Sequence, residues 1–216
     1  MKLAKPQVVL FDWDNTLVDN FGAIRHALNA AFREFGLSEW TIEETHARVR
    51  RSLRESFPEI FGAEWQRARS IFYKAFEDGH LDAMKVCDGA GELLDAMDVT
   101  LGVVSNKQGK LLRREADHLG WTAKFHRLVG ASDAKRDKPD RAPFDMAMEG
   151  LDIPLGPQVW YVGDTGLDMQ AAHAISGIPI LVGNGMGDDA LLTRYPPALQ
   201  VPDLRALRAI WRELGL

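Results

Sequence analysis

The feature that most constrains this 216-residue chain is a short apolar run that recurs and each time stops abruptly. Gln7–Phe11 halts at Asp12, Val99–Val104 at Ser105, Val159–Val162 at Gly163-Asp164, and Ile178–Val182 at Gly183. Each run has the length of a buried strand and is rich in β-branched residues. Arg127–Val129 and Leu199–Val201 read as shorter edge strands. Helical patterns fill the gaps at Lys107–Leu119, Arg141–Leu151 and Thr165–Ile175, and Asp203 is placed to cap a last helix. Strand–helix alternation of this kind predicts an α/β fold, a parallel sheet covered on both faces.

One region breaks the alternation. From about Asp19 to Lys85 there is no convincing strand, only helical patterns near Asp19–Phe35, Thr41–Leu53, Phe57 and Ala63–Asp78. Gly36, Pro58, Gly62 and Gly79 punctuate them. The expected organisation is therefore a core from residues 1–18 and 86–216 with an all-helical insert at 19–85. Phe21, Phe32, Phe35, Trp65, Phe72, Tyr73 and Phe76 fall at helical spacings, which core packing explains.

Charge narrows the partners. Lys and Arg number 26 against 31 Asp and Glu, a formal net charge of −5, which argues against nucleic acid. The single cysteine, Cys87, excludes an intrachain disulfide and a Cys-based zinc site. The first apolar run is too short for a signal peptide or a membrane span. The expectation is a cytoplasmic chain with no membrane partner, a monomer or homodimer.

The first strand ends in Phe11-Asp12-Trp13-Asp14-Asn15-Thr16, with two carboxylates two residues apart. Residues i and i+2 of an extended chain share a side, and ligands of open α/β sheets bind at this end of the strands. Such a pair alone reads more readily as two solvated loop aspartates. The other strand ends alter that reading. They offer Ser105-Asn106 and Gly163-Asp164-Thr165-Gly166-Leu167-Asp168, with Lys138-Pro139 opening the helix between them. A hydroxyl, a lysine and two groups of aspartates converge on one sheet edge.

In this order and spacing the chain resembles the haloacid dehalogenase-like hydrolase superfamily over essentially its whole length. Asp12-x-Asp14-x-Thr16 is similar to the family's first motif, Ser105 to its second, Lys138 to its third and Gly163-Asp164-xxx-Asp168 to its fourth. The helical insert resembles the small cap of the phosphoglycolate-phosphatase and β-phosphoglucomutase branch. The resemblance implies a Rossmann-like core and a Mg²⁺-dependent phosphatase acting on a small phosphate monoester. Asp12 would be the nucleophile, forming an aspartyl-phosphate, and Asp14 the acid and base. The Asp12 carboxylate, the Asp14 backbone carbonyl and Asp164 would hold Mg²⁺, with Thr16, Gly163 and Asp168 in support. Ser105, Asn106 and Lys138 would bind the phosphoryl oxygens. Asp14 favours phosphoryl transfer, because dehalogenases of this superfamily lack that second aspartate. A phosphomutase, or a non-catalytic regulator of the same fold, are the alternatives.

The chain departs from the family pattern twice. Asn15 stands where many relatives have glycine, and the third motif reads Lys-Pro-Asp-Arg-Ala-Pro instead of the tighter Lys-Pro-x-Pro. In the insert, His46–Arg54 holds four arginines and no acid. Arg50 or Arg51 is a candidate for meeting an anionic group on the substrate. The same run also reads as a solvated helix face over a stripe of Ile42, Val49 and Leu53.

Overall fold

The computed structural model describes residues 3–49, 51–185 and 188–214. The chain forms two compact units, one from residues up to Val18 together with those from Val86 onward, the other Asp19–Lys85.

The first unit is built on a six-stranded sheet whose strands alternate with helices. Its strands are β1 (Val8–Phe11), β4 (Thr100–Gln108), β5 (Arg127–Ala131), β6 (Val159–Gly163), β7 (Ile178–Val182) and β8 (Leu199–Val201). β2 (Val18–Asp19) and β3 (Lys85–Val86) pair separately, where the chain leaves and re-enters the unit. The main sheet runs β5-β4-β1-β6-β7-β8, and every pair in it is parallel. The order reverses at β1. Successive connections run outward through β4 and β5 on one side and through β6, β7 and β8 on the other. Such a reversal opens a crevice at the carboxyl ends of the central strands.

The helices of this unit are α6 (Ala90–Ala96), α7 (Gly109–His118), α8 (Ala142–Met148), α9 (Gly166–Ala174), α10 (Asp189–Arg194) and α11 (Leu204–Glu213). Alternation along the strands divides the core. Val8, Leu10, Val159 and Tyr161 pack with Phe144 and Met148 of α8 and Ala171 and Ala172 of α9. Trp160 points the other way and meets Trp211 of α11 edge-on, ring centroids 5.8 Å apart. Asp203 caps α11 as its position suggests, its Oδ1 accepting from the Ala206 N–H at 2.8 Å.

The second unit contains α1 (Phe21–Glu34), α2 (Ile42–Arg48), α3 (Leu53–Phe61), α4 (Trp65–Glu77) and α5 (His80–Ala83). Thr41 and Glu44 form a reciprocal capping box at the start of α2. The interior is a run of rings: Phe57 lies 4.9 Å from Phe61 and 5.8 Å from Phe72, and Phe72 lies 5.8 Å from Phe76. Phe32, Phe57, Phe72 and Phe76 are buried, whereas Phe35, Trp65 and Tyr73 are half-buried. The Asn29 side chain grips the Trp40 backbone twice, at 2.9 and 2.8 Å, and so fixes the α1–α2 connection. Among the described residues no helix is long and apolar enough to cross a membrane.

Several boundaries differ from the pattern. β4 continues through Ser105 to Gln108, and its register with β5 shifts between Val104 and Gln108. An irregularity of this kind lets a strand outlast its apolar run and re-aims its side chains. Thr41–Leu53 contains a shorter helix, α2, because the chain is extended at Val49 and at Ser52, the cap of α3. Pro58 lies inside α3 rather than ending it. α5 and α10 are too short for periodicity to reveal. Met186 of the glycine-rich stretch after β7 lies outside the described residues, as does Gly187, while Gly183 and Gly185 adopt positive φ.

Candidate active site

β1 delivers Asp12 to the crevice, and the chain then turns tightly. The Trp13 carbonyl accepts from the backbone N–H groups of Thr16, Leu17 and Val18 at 3.3, 2.9 and 3.1 Å. Asn15 makes the turn possible. Its φ of 61° lies in the left-handed region, which glycine favours and asparagine tolerates. Its side-chain Nδ2 donates to Asp164 Oδ2 at 2.7 Å, and Thr16 Oγ1 donates to Asp164 Oδ1 at 3.1 Å. The departure from glycine thus adds a hydrogen bond that glycine could not make.

β6 delivers Gly163 and Asp164, and α9 begins just beyond. Asp168 is locked at both oxygens. Its Oδ2 accepts from the Thr165 hydroxyl at 2.6 Å and the Thr165 N–H at 3.0 Å, while Oδ1 accepts from Lys138 at 2.8 Å. A Cβ on Gly163 would come within 2.4 Å of the Asp168 Cβ, so this position requires glycine.

Lys138 stands at the centre. Its buried ammonium donates to Asp12 Oδ1, Asp168 Oδ1 and the Tyr161 hydroxyl, each at 2.8 Å. Tyr161 is oriented by donating to the Val104 carbonyl at 2.8 Å. The Lys138–Pro139 peptide is cis, and the Lys138 carbonyl accepts from Asn106 Nδ2 at 3.2 Å. Ser105 is buried, and its hydroxyl accepts from the Lys107 N–H at 3.3 Å.

The electrostatics follow from three buried carboxylates set against one ammonium. Oxygens of Asp12, Asp164 and Asp168 lie within 4.8 Å of one another. Burial pushes Asp12 up to about 6, although Lys138 opposes it. Burial and the negative charges of Asp168 and Asp12 push Asp164 up to about 8. Burial also acts on Asp168, but Lys138 and Thr165 overcome it and hold that carboxyl below its usual range. Burial disfavours the Lys138 cation, yet Asp12 and Asp168 outweigh it and raise its proton affinity. An all-oxygen cluster with excess negative charge fits a hard divalent cation such as Mg²⁺. The strain on Asp164 is what such a cation would relieve.

Asp14 does not join this cluster through its side chain. Its carboxylate accepts from Lys107 Nζ at 3.1 and 3.2 Å. The same ammonium lies 3.0 Å from Glu115 Oε1. Sequence reasoning missed both residues, although a signal existed. Leu111, Leu112, Ala116 and Leu119 form the apolar stripe of α7, and Glu115 lies on that stripe. A carboxylate on a buried stripe needs a cation. Of the two arginines singled out in the helical unit, Arg50 lies outside the described residues. Arg51 is exposed and forms two hydrogen bonds to the Glu59 carboxylate, the longer at 2.7 Å.

The comparisons with known proteins follow the same lines. A phosphoglycolate phosphatase from Xylella fastidiosa (strain 9a5c) is 31% identical over 219 residues, covering 96% of this chain and 95% of its own. A phosphoglycolate phosphatase from Chromobacterium violaceum is 29% identical over 204 residues, covering 89% of this chain and 91% of its own. Among solved structures, a haloacid dehalogenase-like family hydrolase from Streptococcus pneumoniae superposes with a TM-score of 0.83 at 20% identity, covering 95% of this chain and 98% of its own. A superfamily hydrolase from Ehrlichia chaffeensis gives 0.66 at 24% identity, covering 99% and 100%. At those identities the structures speak for the fold alone. The family model described as haloacid dehalogenase-like hydrolase matches residues 9–182, from within β1 to the end of β7. That match takes in every strand that delivers a residue to the crevice, and the chain belongs to the haloacid dehalogenase-like hydrolases.

Proposed function

We propose that this chain is a cytoplasmic, Mg²⁺-dependent phosphatase that hydrolyses a small phosphate monoester through an aspartyl-phosphate on Asp12. The observation that carries the reading is the Lys138 ammonium, 2.8 Å from both Asp12 and Asp168 and beside the strained carboxylate of Asp164. A carboxylate nucleophile must be held still and the dianionic phosphoryl group must be neutralised. Lys138 does both, fixing Asp12 Oδ1 while presenting positive charge to the phosphoryl oxygens. In this reading the Asp12 and Asp164 carboxylates and the Asp14 backbone carbonyl hold the metal. Asp168 acts behind them, keeping Lys138 in place, with Thr16 and Gly163 supporting Asp164. Bound Mg²⁺ would supply charge neutralisation at the phosphoryl oxygens.

In the first step an Asp12 oxygen forms a bond to phosphorus as the P–O bond to the alcohol breaks. Asp14 gives its proton to the departing oxygen. In the second step water attacks the same phosphorus, Asp14 takes the water's proton, and the Asp12–phosphorus bond breaks to release inorganic phosphate. Ser105 and Asn106 hold the phosphoryl oxygens meanwhile. The relatives' names make a phosphoglycolate-like ester the first substrate to try. The Asp19–Lys85 unit is read as a cap domain that selects substrate, with Arg51 its candidate anion contact.

The test is phosphate release from a broad panel of phosphate monoesters with Mg²⁺, without Mg²⁺ and after chelation. Release that needs Mg²⁺ and disappears in Asp12→Asn is the expected result. No release from any ester, or full activity in Asp12→Asn, would overturn the reading. Isomerised sugar phosphate with little free phosphate would replace it with a mutase.

A further inference from the structure

We propose that Lys107 and Glu115 form a positioning pair for the proposed acid and base, Asp14. This inference rests on the phosphatase reading and adds a residue set to it. Lys107 approaches both Asp14 oxygens almost equally, at 3.1 and 3.2 Å, so the carboxylate is gripped in one orientation. The lysine is itself held. Its side chain is 5% exposed, and Glu115, with none of its side chain exposed, lies behind it at 3.0 Å.

Glu115 also reaches the same turn by a second route. Its Oε2 accepts from the Trp13 indole N–H at 2.7 Å, and Trp13 lies between Asp12 and Asp14. The Trp13 ring is buried against Trp121 and Phe125, with centroids 6.1 and 6.4 Å away. One buried carboxylate on α7 therefore anchors Asp14 from both sides, through Lys107 to its side chain and through Trp13 to its backbone.

Local backbone explains how Lys107 reaches this place. It lies in the stretch of β4 where the register with β5 shifts. Gly130 permits the close crossing there, since a Cβ at that position would meet the Lys107 carbonyl at 2.5 Å. A buried ion pair is weak evidence for stability, because well-packed apolar residues can replace it at little or no cost. Its value here is geometric. Lys107 can donate to Asp14 in either protonation state, as carboxylate or as carboxylic acid, so the grip lasts through both proton transfers. A misplaced acid costs most when the leaving alcohol is poor, because that step depends on the proton.

The experiment compares turnover of an alkyl phosphate with that of p-nitrophenyl phosphate, whose leaving group needs little protonation. The variants are Lys107→Met and the double variant Lys107→Met/Glu115→Gln. The second keeps a partner for Trp13 and removes the fully buried Glu115 charge that Lys107→Met alone would leave without its cation, so it tests the idea if the first fails to fold. Melting temperature reports folding. The expected result is a rise of about ten- to a hundred-fold in the aryl-to-alkyl ratio of kcat/KM, which reads only the steps up to the aspartyl-phosphate and not its hydrolysis, common to both esters. In an Asp14→Asn background the same substitutions should leave the ratio where Asp14→Asn alone puts it. An equal fall on both esters, or a further change of ratio in that background, would overturn the inference. Asp12→Asn keeps the outcomes apart. If it is inactive while the ratio stays unchanged, only this inference falls. If it is fully active, the phosphatase reading falls and takes this one with it.

Discussion

The two units bury different chemistry. Among the described residues of the Asp19–Lys85 unit the buried polar ones are Asn20, Asn29, Thr45, Ser52 and His80, with no carboxylate, lysine or arginine among them. In the sheet unit they include Asp12, Glu115, Asp137, Lys138, Asp164 and Asp168. Four ion pairs among the described residues of the helical unit, Arg33–Glu39, Arg48–Glu44, Arg51–Glu59 and Arg67–Glu34, lie at its surface. Exposed pairs of that kind contribute about 0–1 kcal/mol each. Buried charge is costly, and in the sheet unit most of it gathers where the strands end. The helical unit is stabilised by rings, whereas the sheet unit spends part of its stability on a reactive edge.

The contrast can be tested from its largest consequence to its smallest. Asp12→Asn should lower phosphate release by about 10⁴-fold or more while leaving the fold intact, as steady-state kinetics and circular dichroism would show. Lys138→Met should lose both properties. Three carboxylates would remain buried without their cation, at a cost of about 3–5 kcal/mol in urea unfolding. Phe57→Ala in the helical unit should cost a similar amount, about 3–5 kcal/mol, but through a cavity and without any dependence on ionic strength. If salt moved both variants alike, the distinction between the two interiors would fail.

Asp164→Asn carries a pH signature. Its carboxyl is raised to about 8 in the metal-free fold, from an ordinary value of 3.8. A raised carboxyl favours folding below its unfolded value, and that contribution is lost as pH rises through the folded value. Metal-free protein should therefore lose stability between about pH 4 and pH 8, and Asp164→Asn should flatten the loss and raise the melting point at pH 8 by about 2–4 °C. It should also abolish stabilisation by added Mg²⁺. A steeper pH dependence in the variant would contradict the assignment of strain to this group. Last, Arg51→Ala should change stability by less than about 1 kcal/mol. If the arginine selects substrate, kcat/KM should shift among esters that differ in a second anionic group. An unchanged substrate profile would leave it a surface ion pair with Glu59.

Much of the sheet unit could be read from sequence because its rules are local. An apolar run ending in Asp12 or in Gly163-Asp164 states both a strand and where it stops. The parallel order follows from the helices between runs. The electrostatic arrangement was less accessible. Trp13 and Glu115 are separated by 102 positions, and Lys138 and Asp12 by 126, so their pairing emerges only once the strands are ordered. The resemblance supplied Lys138, but nothing in it supplied Lys107 or Glu115. In the helical unit, periodicity pointed to the buried rings of Phe21, Phe32, Phe72 and Phe76 but also to the half-buried Phe35, Trp65 and Tyr73, and it could not show that Pro58 sits within a helix. Nor could it show that Arg51 has a carboxylate partner eight residues away.

The pairing of β2 with β3 has a further consequence for the history of the chain. Leu17 and Cys87 are joined across it by a backbone hydrogen bond of 3.0 Å, so the exit and return points stand side by side. A segment whose ends meet can be lengthened, shortened or exchanged at an entropic cost that grows only with the logarithm of its length. The ribbon is in effect a graft union, at which the scion can be exchanged while the stock and its reactive edge stay as they were.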